Sequence, residues 1–100
     1  MADVYMVRLY EAAYDDLNDI YRYITRTLKE PHAAESLIAS LEQAILSLQR
    51  FPKRHPLLPY KVLRGSYRIL RVKNYSVIYK INEREHIVYV VSVLYSPRIF

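Results

Sequence analysis

The sequence predicts an α+β domain in which an antiparallel helical hairpin packs on one face of a four-stranded sheet. Three observations indicate this class: a strand-like run opens the chain, two amphipathic segments of helical period follow it, and three strand-like runs separated by short turns close it. The chain has 100 residues, which is enough for one modest hydrophobic core. We therefore expect a single domain over residues 1–100.

The first half of the chain predicts the N-terminal strand and the two helices. Residues 4–10 are rich in β-branched and aromatic side chains, which favours a strand. Apolar residues then recur at spacings of three and four, so we expect a helix whose buried stripe is Ala13, Leu17, Ile20, Tyr21, Ile24 and Leu28. Pro31 ends this helix and opens the next, because the residue before a proline avoids the α region. Two amphipathic helices with so short a connector must fold back as a hairpin.

The second half predicts an extended loop followed by a three-stranded antiparallel meander. Three prolines within residues 51–59 exclude a regular helix or an interior strand there. We expect strands over residues 67–73, 75–81 and 87–95, and the last is apolar on both faces, which is typical of a central strand. Alternation then assigns the two faces of the sheet. The helix-facing side would carry Leu70, Val72, Tyr75, Val77, Tyr79 and Ile81, and the open side Tyr67, Ile69, Arg71, Lys73, Ser76, Ile78 and Lys80.

The composition excludes several kinds of chemistry. The absence of cysteine excludes disulfides and thiolate nucleophiles, and it fits a reducing cytoplasm. Gly65 is the only glycine, so the chain has no glycine-rich phosphate loop. The three histidines are scattered, whereas zinc ligands need close spacing, so we expect no metal and no cofactor. We see no signal peptide and no apolar run long enough to span a bilayer, so we expect a cytoplasmic protein with no membrane partner.

Charge is divided unevenly between the two halves of the chain. Residues 1–49 contain eight acidic and four basic side chains, whereas residues 50–100 contain eleven basic and two acidic ones. A segregated basic half is the surface expected for a polyanionic partner, although cations that only keep a surface soluble give the same pattern. The candidates for nucleic-acid or target binding are Arg54, Lys61, Arg64, Arg68 and Lys73.

A smaller set of residues could perform chemistry on RNA. A guanidinium group can stabilise the charge that builds on a transferring phosphate, and a phenol can move a proton to or from the ribose. The candidate catalytic residues are Arg71, Tyr95 and Arg98. The open face of the sheet would also mix apolar side chains with cations, and such a face is usually covered by a partner. The candidates for that contact are Ile69, Ile78 and Lys80.

Several runs of residues, in order along nearly the whole chain, resemble the RelE/ParE superfamily of toxins. They are residues 12–24, Pro31-His32-Ala33-Ala34, residues 44–48 closed by Phe51-Pro52, Leu63-Arg64-Gly65, residues 75–79 and Val93-Leu94-Tyr95. No single run is specific, but the ordered set is fairly specific. The resemblance implies the toxin of a type II toxin–antitoxin system, of the plasmid stabilisation kind, which a cognate antitoxin wraps and silences.

The resemblance implies two modes of action. The long helical hairpin is similar to the ParE branch, whose studied members poison DNA gyrase. The RelE branch instead cleaves mRNA on the ribosome, using basic residues of the second and third strands and a residue near the C-terminus. The matching positions here are Arg71, Ser76 and residues 95–98, but Ser76 departs from the arginine and Tyr95 from the histidine of many relatives.

Three functions therefore stay open at this point. The chain could be a ribosome-dependent endoribonuclease, a non-catalytic inhibitor of DNA gyrase, or an interaction module of the same fold that has lost toxicity. In each case we expect an acidic, amphipathic antitoxin segment to cover the cationic face of the sheet.

Overall fold

The structure, a computed structural model, describes residues 4–58 and 66–97. These residues include two α-helices and four strands. No helix in these residues is both long and apolar enough to cross a bilayer. The predicted α+β class and the predicted order of elements are confirmed. In chain order the elements are strand β1 (Met6–Leu9), helix α1 (Glu11–Arg22), helix α2 (Pro31–Leu46), and strands β2 (Arg68–Val72), β3 (Tyr75–Asn82) and β4 (Ile87–Tyr95).

The four strands form one mixed sheet in the order β1-β4-β3-β2. Strands β2, β3 and β4 are the predicted antiparallel meander, and β4 is central, as its two apolar faces predicted. Strand β1 joins β4 in parallel, with Met6 opposite Ile87 and Leu9 opposite Val90. The two paired strands are far apart in the sequence and are not joined by a tight turn, so no local pattern in the sequence marks this pairing.

A helix side chain closes part of the free edge of β4. Strand β1 ends at Leu9, opposite Val90, so β4 continues to Tyr95 with no strand on that side. The Val93 amide donates to the Asp16 carboxylate of α1 at 2.9 Å. This bond satisfies a backbone N–H group that a longer β1 would have paired, and it ties α1 to the sheet.

The hydrophobic core lies between the helices and one face of the sheet. Ala13 of α1 and Ala34 of α2 are fully buried, and side chains so small let the helices approach their neighbours closely. The six residues of β2 and β3 that were predicted to face the helices all lie in this core or pack against it. The sheet residues that belong to the hydrophobic core are Leu70, Val77, Tyr79, Val88, Val90 and Val93.

Two local expectations are wrong. Tyr21 and Leu28 are 39% and 50% exposed rather than buried. The stripe of α1 that faces the core is narrower than predicted, and Tyr21 lies at its border. A π-helical turn at Tyr23–Thr27 widens the helix before Leu28, so that the Leu28 side chain turns outward. The loop after α2 is also not fully extended, because a 3₁₀ turn at Pro52–Arg54 buries Pro52.

Candidate functional site

The predicted site residues fall into separate places rather than one cluster. Lys61, Arg64 and Arg98 lie outside the described residues. Arg54 and Arg68 both bind the loop that follows α2. The others divide between the two faces of the sheet: Arg71, Ile69, Ile78 and Lys80 on the open face, and Tyr95 with Lys73 beside a groove next to the helices.

Arg71 binds atoms of its own sheet. Its Nη1 atom donates to the Ser76 hydroxyl at 2.8 Å and to the Ser96 carbonyl, and Nη2 donates to the Lys73 carbonyl at 3.4 Å. Ser76, directly opposite Arg71 in the register, is only 2% exposed although it was predicted on the open face. Both donors of Nη1 are thereby used. The guanidinium group joins β2, β3 and the segment after β4.

Tyr95 lies on the opposite face of the sheet from Arg71. Tyr95 pairs with Tyr75, and Tyr75 pairs with Val72, whose side chain packs against the core. Arg71 immediately precedes Val72 in β2, and successive residues of a strand point to opposite faces. The sheet therefore separates two of the three predicted catalytic residues.

Tyr95 instead borders an apolar groove between the helices and the end of the sheet. Its ring meets that of Tyr75 edge-on, with 5.4 Å between the ring centroids. Burial raises the pKa of Tyr75, and the neighbouring Tyr95 and Tyr23 raise it further. The groove has a volume of about 740 Å³, and its lining includes Leu28 and Lys73. Because a raised pKa makes a phenol a weaker acid, Tyr75 is better suited to apolar contact than to proton transfer.

Residues 50–56 form a loop that we call the clamped loop, because side chains bind its backbone from two sides. Arg54 is the first clamp and binds the loop to the end of α2. Its Nη1 atom donates to the carbonyls of Ser47, Arg50 and Phe51 at 3.3, 2.5 and 3.1 Å. Its Nη2 atom donates to the Ser47 hydroxyl at 2.9 Å.

The second clamp comes from the sheet. Arg68, at the start of β2, donates to the carbonyls of Lys53 and His55 at 3.1 and 2.7 Å. The buried Tyr79 hydroxyl donates to the Pro52 carbonyl at 2.5 Å. The carbonyls of a proline-rich segment lack the partners that a helix or strand would supply, and these side chains satisfy them. Sequence reasoning had no means of separating such cations from cations that contact a target.

Two side chains at the clamped loop, His55 within it and the buried Tyr79, have shifted pKa values. Burial, together with the positive charges of Arg54 and Arg68, lowers the pKa of His55. Its Nε2 atom is buried with no hydrogen-bond partner among the described residues. Burial raises the pKa of Tyr79 to about 12, although both arginines act in the opposite direction. Within residues 4–58 and 66–97, no group of three His, Asp or Glu side chains is placed to hold a metal ion.

Phe51 projects from the clamped loop into solvent and was missed by the sequence reasoning. Its backbone is left-handed, with φ 49° and ψ 52°, and the residue is 67% exposed. A residue before a proline favours an extended backbone, and a bulky residue seldom adopts positive φ. No sequence pattern therefore indicated this conformation.

The open face of the sheet is cationic. Arg8, Tyr89 and Lys80 stand side by side on β1, β4 and β3. The Lys80 Nζ atom lies 5.5 Å from the centre of the Tyr10 ring, and a hydrogen bond with the Tyr10 side chain raises the pKa of Lys80. No strand of the described sheet contains an acidic residue. Of the predicted partner contacts, Lys80 and Ile78 are partly exposed, whereas Ile69 is only 9% exposed and offers little surface.

Solved structures of toxin–antitoxin systems share this fold. A chain of the chromosomal ParDE system from P. aeruginosa matches with a TM-score of 0.77 at 15% identity, over 95% of this chain and 99% of that one. A chain of the RelBE2 complex from Mycobacterium tuberculosis matches with a TM-score of 0.65 at 22% identity, over 95% and 94%. A chain of the archaeal RelE-RelB complex from Pyrococcus horikoshii OT3 matches with a TM-score of 0.66 at 12% identity, over 96% and 99%.

These matches define the class of protein as a small α+β domain of the RelE/ParE fold. No curated protein sequence is significantly similar to the chain. Residues 7–100, however, match the family described as "ParE toxin of type II toxin-antitoxin system, parDE". The chain belongs to this family of toxins, as the resemblance implied.

Proposed function

We propose that this toxin arrests growth by binding DNA gyrase in the cytoplasm, that it does so without cutting RNA, and that a cognate antitoxin silences it. The match of residues 7–100 to the ParE toxin family supports the proposed target, and the engagement of Arg71 supports the absence of RNA cleavage. The resemblance matches Arg71 to a basic residue that RNA-cleaving relatives use on the second strand, yet its guanidinium group binds Ser76, Ser96 and Lys73. A guanidinium group that holds the sheet together is a poor phosphate clamp, because its donors would have to leave partners that are part of the fold.

The arrangement of the other candidates supports binding rather than catalysis. Cleavage of RNA by side chains requires a cation at the phosphate and a proton-transfer group on the same side of it. Arg71 and Tyr95 are on opposite faces of the sheet. Ser76 also lacks the positive charge that the resemblance led us to expect at this position. His55 lies in the clamped loop, and its ring is 6.2 Å from that of Tyr79, which is on the face of the sheet opposite Arg71.

The open face of the sheet is the proposed antitoxin site. Arg8 and Lys80 flank Tyr89 there, and Ile78 adds a partly exposed apolar side chain. A cationic face with no acid in its strands is complementary to an acidic, amphipathic segment. The similar solved structures are toxin–antitoxin systems or complexes, which supports a protein partner of this kind.

A charge reversal tests the antitoxin site. Lys80→Glu should weaken the rescue of growth by a co-expressed antitoxin, because it places a negative charge where the acidic segment would lie. Arg84→Glu is the matched control, since Arg84 lies on the exposed turn after β3. Equal rescue of both variants would exclude Lys80 from the antitoxin contact.

Induction of the toxin in cells without antitoxin tests the mode of action. Plasmid topology and the 5′ ends of cellular transcripts are measured in the same samples. We expect growth arrest with altered plasmid supercoiling and intact transcripts. Transcripts cut within ribosome-bound codons, with normal plasmid topology, would overturn the proposal in favour of an endoribonuclease. Unimpaired growth would instead favour an interaction module without toxicity.

A further inference from the structure

The strained backbone of Phe51 is not explained by packing of its own ring. Within residues 4–58 and 66–97, four residues other than glycine have positive φ: Lys29, Phe51, Lys73 and His86, of which only Phe51 is apolar. Strain of this kind is ordinarily offset when burial of the side chain contributes free energy. Phe51 is 67% exposed, so burial of its side chain in the isolated chain contributes little.

The clamped loop maintains this conformation. The Phe51 carbonyl accepts hydrogen bonds from the Arg54 side chain and from the Arg54 amide, both at 3.1 Å. The next residue, Pro52, is buried, and its carbonyl accepts the Tyr79 hydroxyl. Strained residues persist where the surroundings over-determine them, and they cluster at ligand contacts. The two clamps therefore hold the backbone in a conformation that presents one apolar side chain to solvent.

We infer that Phe51 is a preorganised anchor that inserts into an apolar pocket of the protein that the toxin inhibits. The inference rests on the proposed function, because it requires a toxin that acts by binding a protein. A large aromatic side chain that enters a pocket is a common hot spot of protein interfaces. A backbone already held in the bound conformation lowers the entropy cost of association.

The charges around Phe51 indicate the chemistry of the pocket. Arg50, Lys53 and Arg54 surround it in sequence, and residues 50–58 contain no acid. Lys53 pairs with Glu83 at 3.4 Å, but both side chains are more than half exposed, so this ion pair can open at little cost. The complementary surface is an apolar pocket whose rim carries carboxylates.

Phe51→Gly separates contact from structure, because glycine removes the ring and adopts positive φ freely. We expect a Tm equal to that of the wild type or up to about 5 °C higher. We expect colony formation during toxin induction, without antitoxin, to rise at least about tenfold. Phe51→Tyr keeps the aromatic ring and should arrest growth as the wild type does. Lys29→Gly is the matched control, since it relieves similar strain at an exposed residue (φ 56°) and should leave arrest unchanged.

The outcomes distinguish this inference from the proposed function. Lost arrest in Phe51→Gly alone, at equal protein level and with Tm maintained, supports the anchor. Full arrest by Phe51→Gly overturns it, and so does a lower Tm, which would assign Phe51 a structural role. Arrest that persists while antitoxin rescue is lost would assign Phe51 to the antitoxin and overturn the inference. A wild-type chain that does not arrest growth would defeat the proposed function, and this inference with it.

Discussion

Replacement of Arg71 by methionine should destabilise the protein while leaving its toxicity in place. Methionine keeps an apolar stem but removes the hydrogen bonds to Ser76, Ser96 and Lys73. A hydrogen bond from a charged donor contributes about 1.5–3 kcal/mol when it is well formed. The bond to Lys73 is long and exposed and contributes little, whereas loss of the bond to Ser76 leaves a hydroxyl unpaired at 2% exposure. We expect the free energy of unfolding to fall by about 2–3 kcal/mol.

The assay is thermal and urea unfolding of the full chain, followed by circular dichroism. A loss of about 2–3 kcal/mol should lower Tm by about 10–20 °C for a chain of this length. Lys80→Met is the matched control, because it removes a cation from the same face but only an exposed contact with Tyr10, and it should cost less than about 1 kcal/mol. Arrest should persist at a temperature where the Arg71→Met variant is folded. Unchanged stability combined with lost arrest would show that Arg71 contacts a target rather than holding the sheet together.

Three further predictions concern stability. The pKa of His55 is lower in the folded chain than its ordinary value of 6.5. The contribution of His55 to stability is therefore constant above about pH 7 and falls as the pH drops through 6.5. The midpoints of urea unfolding, measured between pH 7.5 and 5, should depend less on pH in His55→Leu than in the wild type. Asp16→Ala leaves the Val93 amide unpaired and should cost about 1–2 kcal/mol and speed hydrogen exchange at Val93, whereas Asp16→Asn, which keeps an acceptor oxygen, should lose less. Leu41→Ala, at a fully buried site, should cost about 2–5 kcal/mol in urea unfolding, and a loss below 1 kcal/mol would contradict the packing described for the core.

The parts of the fold that depend on local pattern were predictable. Pro31 begins α2 because its ring suits the first turn of a helix, and β4 is central because its apolar residues alternate onto both faces. The parallel pairing of β1 with β4 was not predictable from pattern, since it joins residues about 80 positions apart. The exposure of Tyr21 shows the same limit, because helical period identifies a stripe but not its width.

The candidate site was predictable in composition but not in arrangement. Sequence reasoning identified Arg54 and Arg68 as candidates for target binding and Arg71 as a candidate catalytic residue, but charge alone does not reveal whether a guanidinium group binds a phosphate or a backbone carbonyl. Strand alternation could have separated Arg71 from Tyr95, but only once the register across β3 was known. The conformation of Phe51 had no signal in the sequence, because it depends on a clamp from Arg54 within the loop and on another from Tyr79 in the sheet.

Inhibition of DNA gyrase is tested by the supercoiling of relaxed plasmid by the purified enzyme, with and without the purified toxin. The proposed function predicts that the toxin inhibits supercoiling, that antitoxin restores it, and that translating ribosomes incubated with the same toxin keep their mRNA intact. Normal supercoiling at excess toxin, together with cleaved mRNA on those ribosomes, would contradict the account.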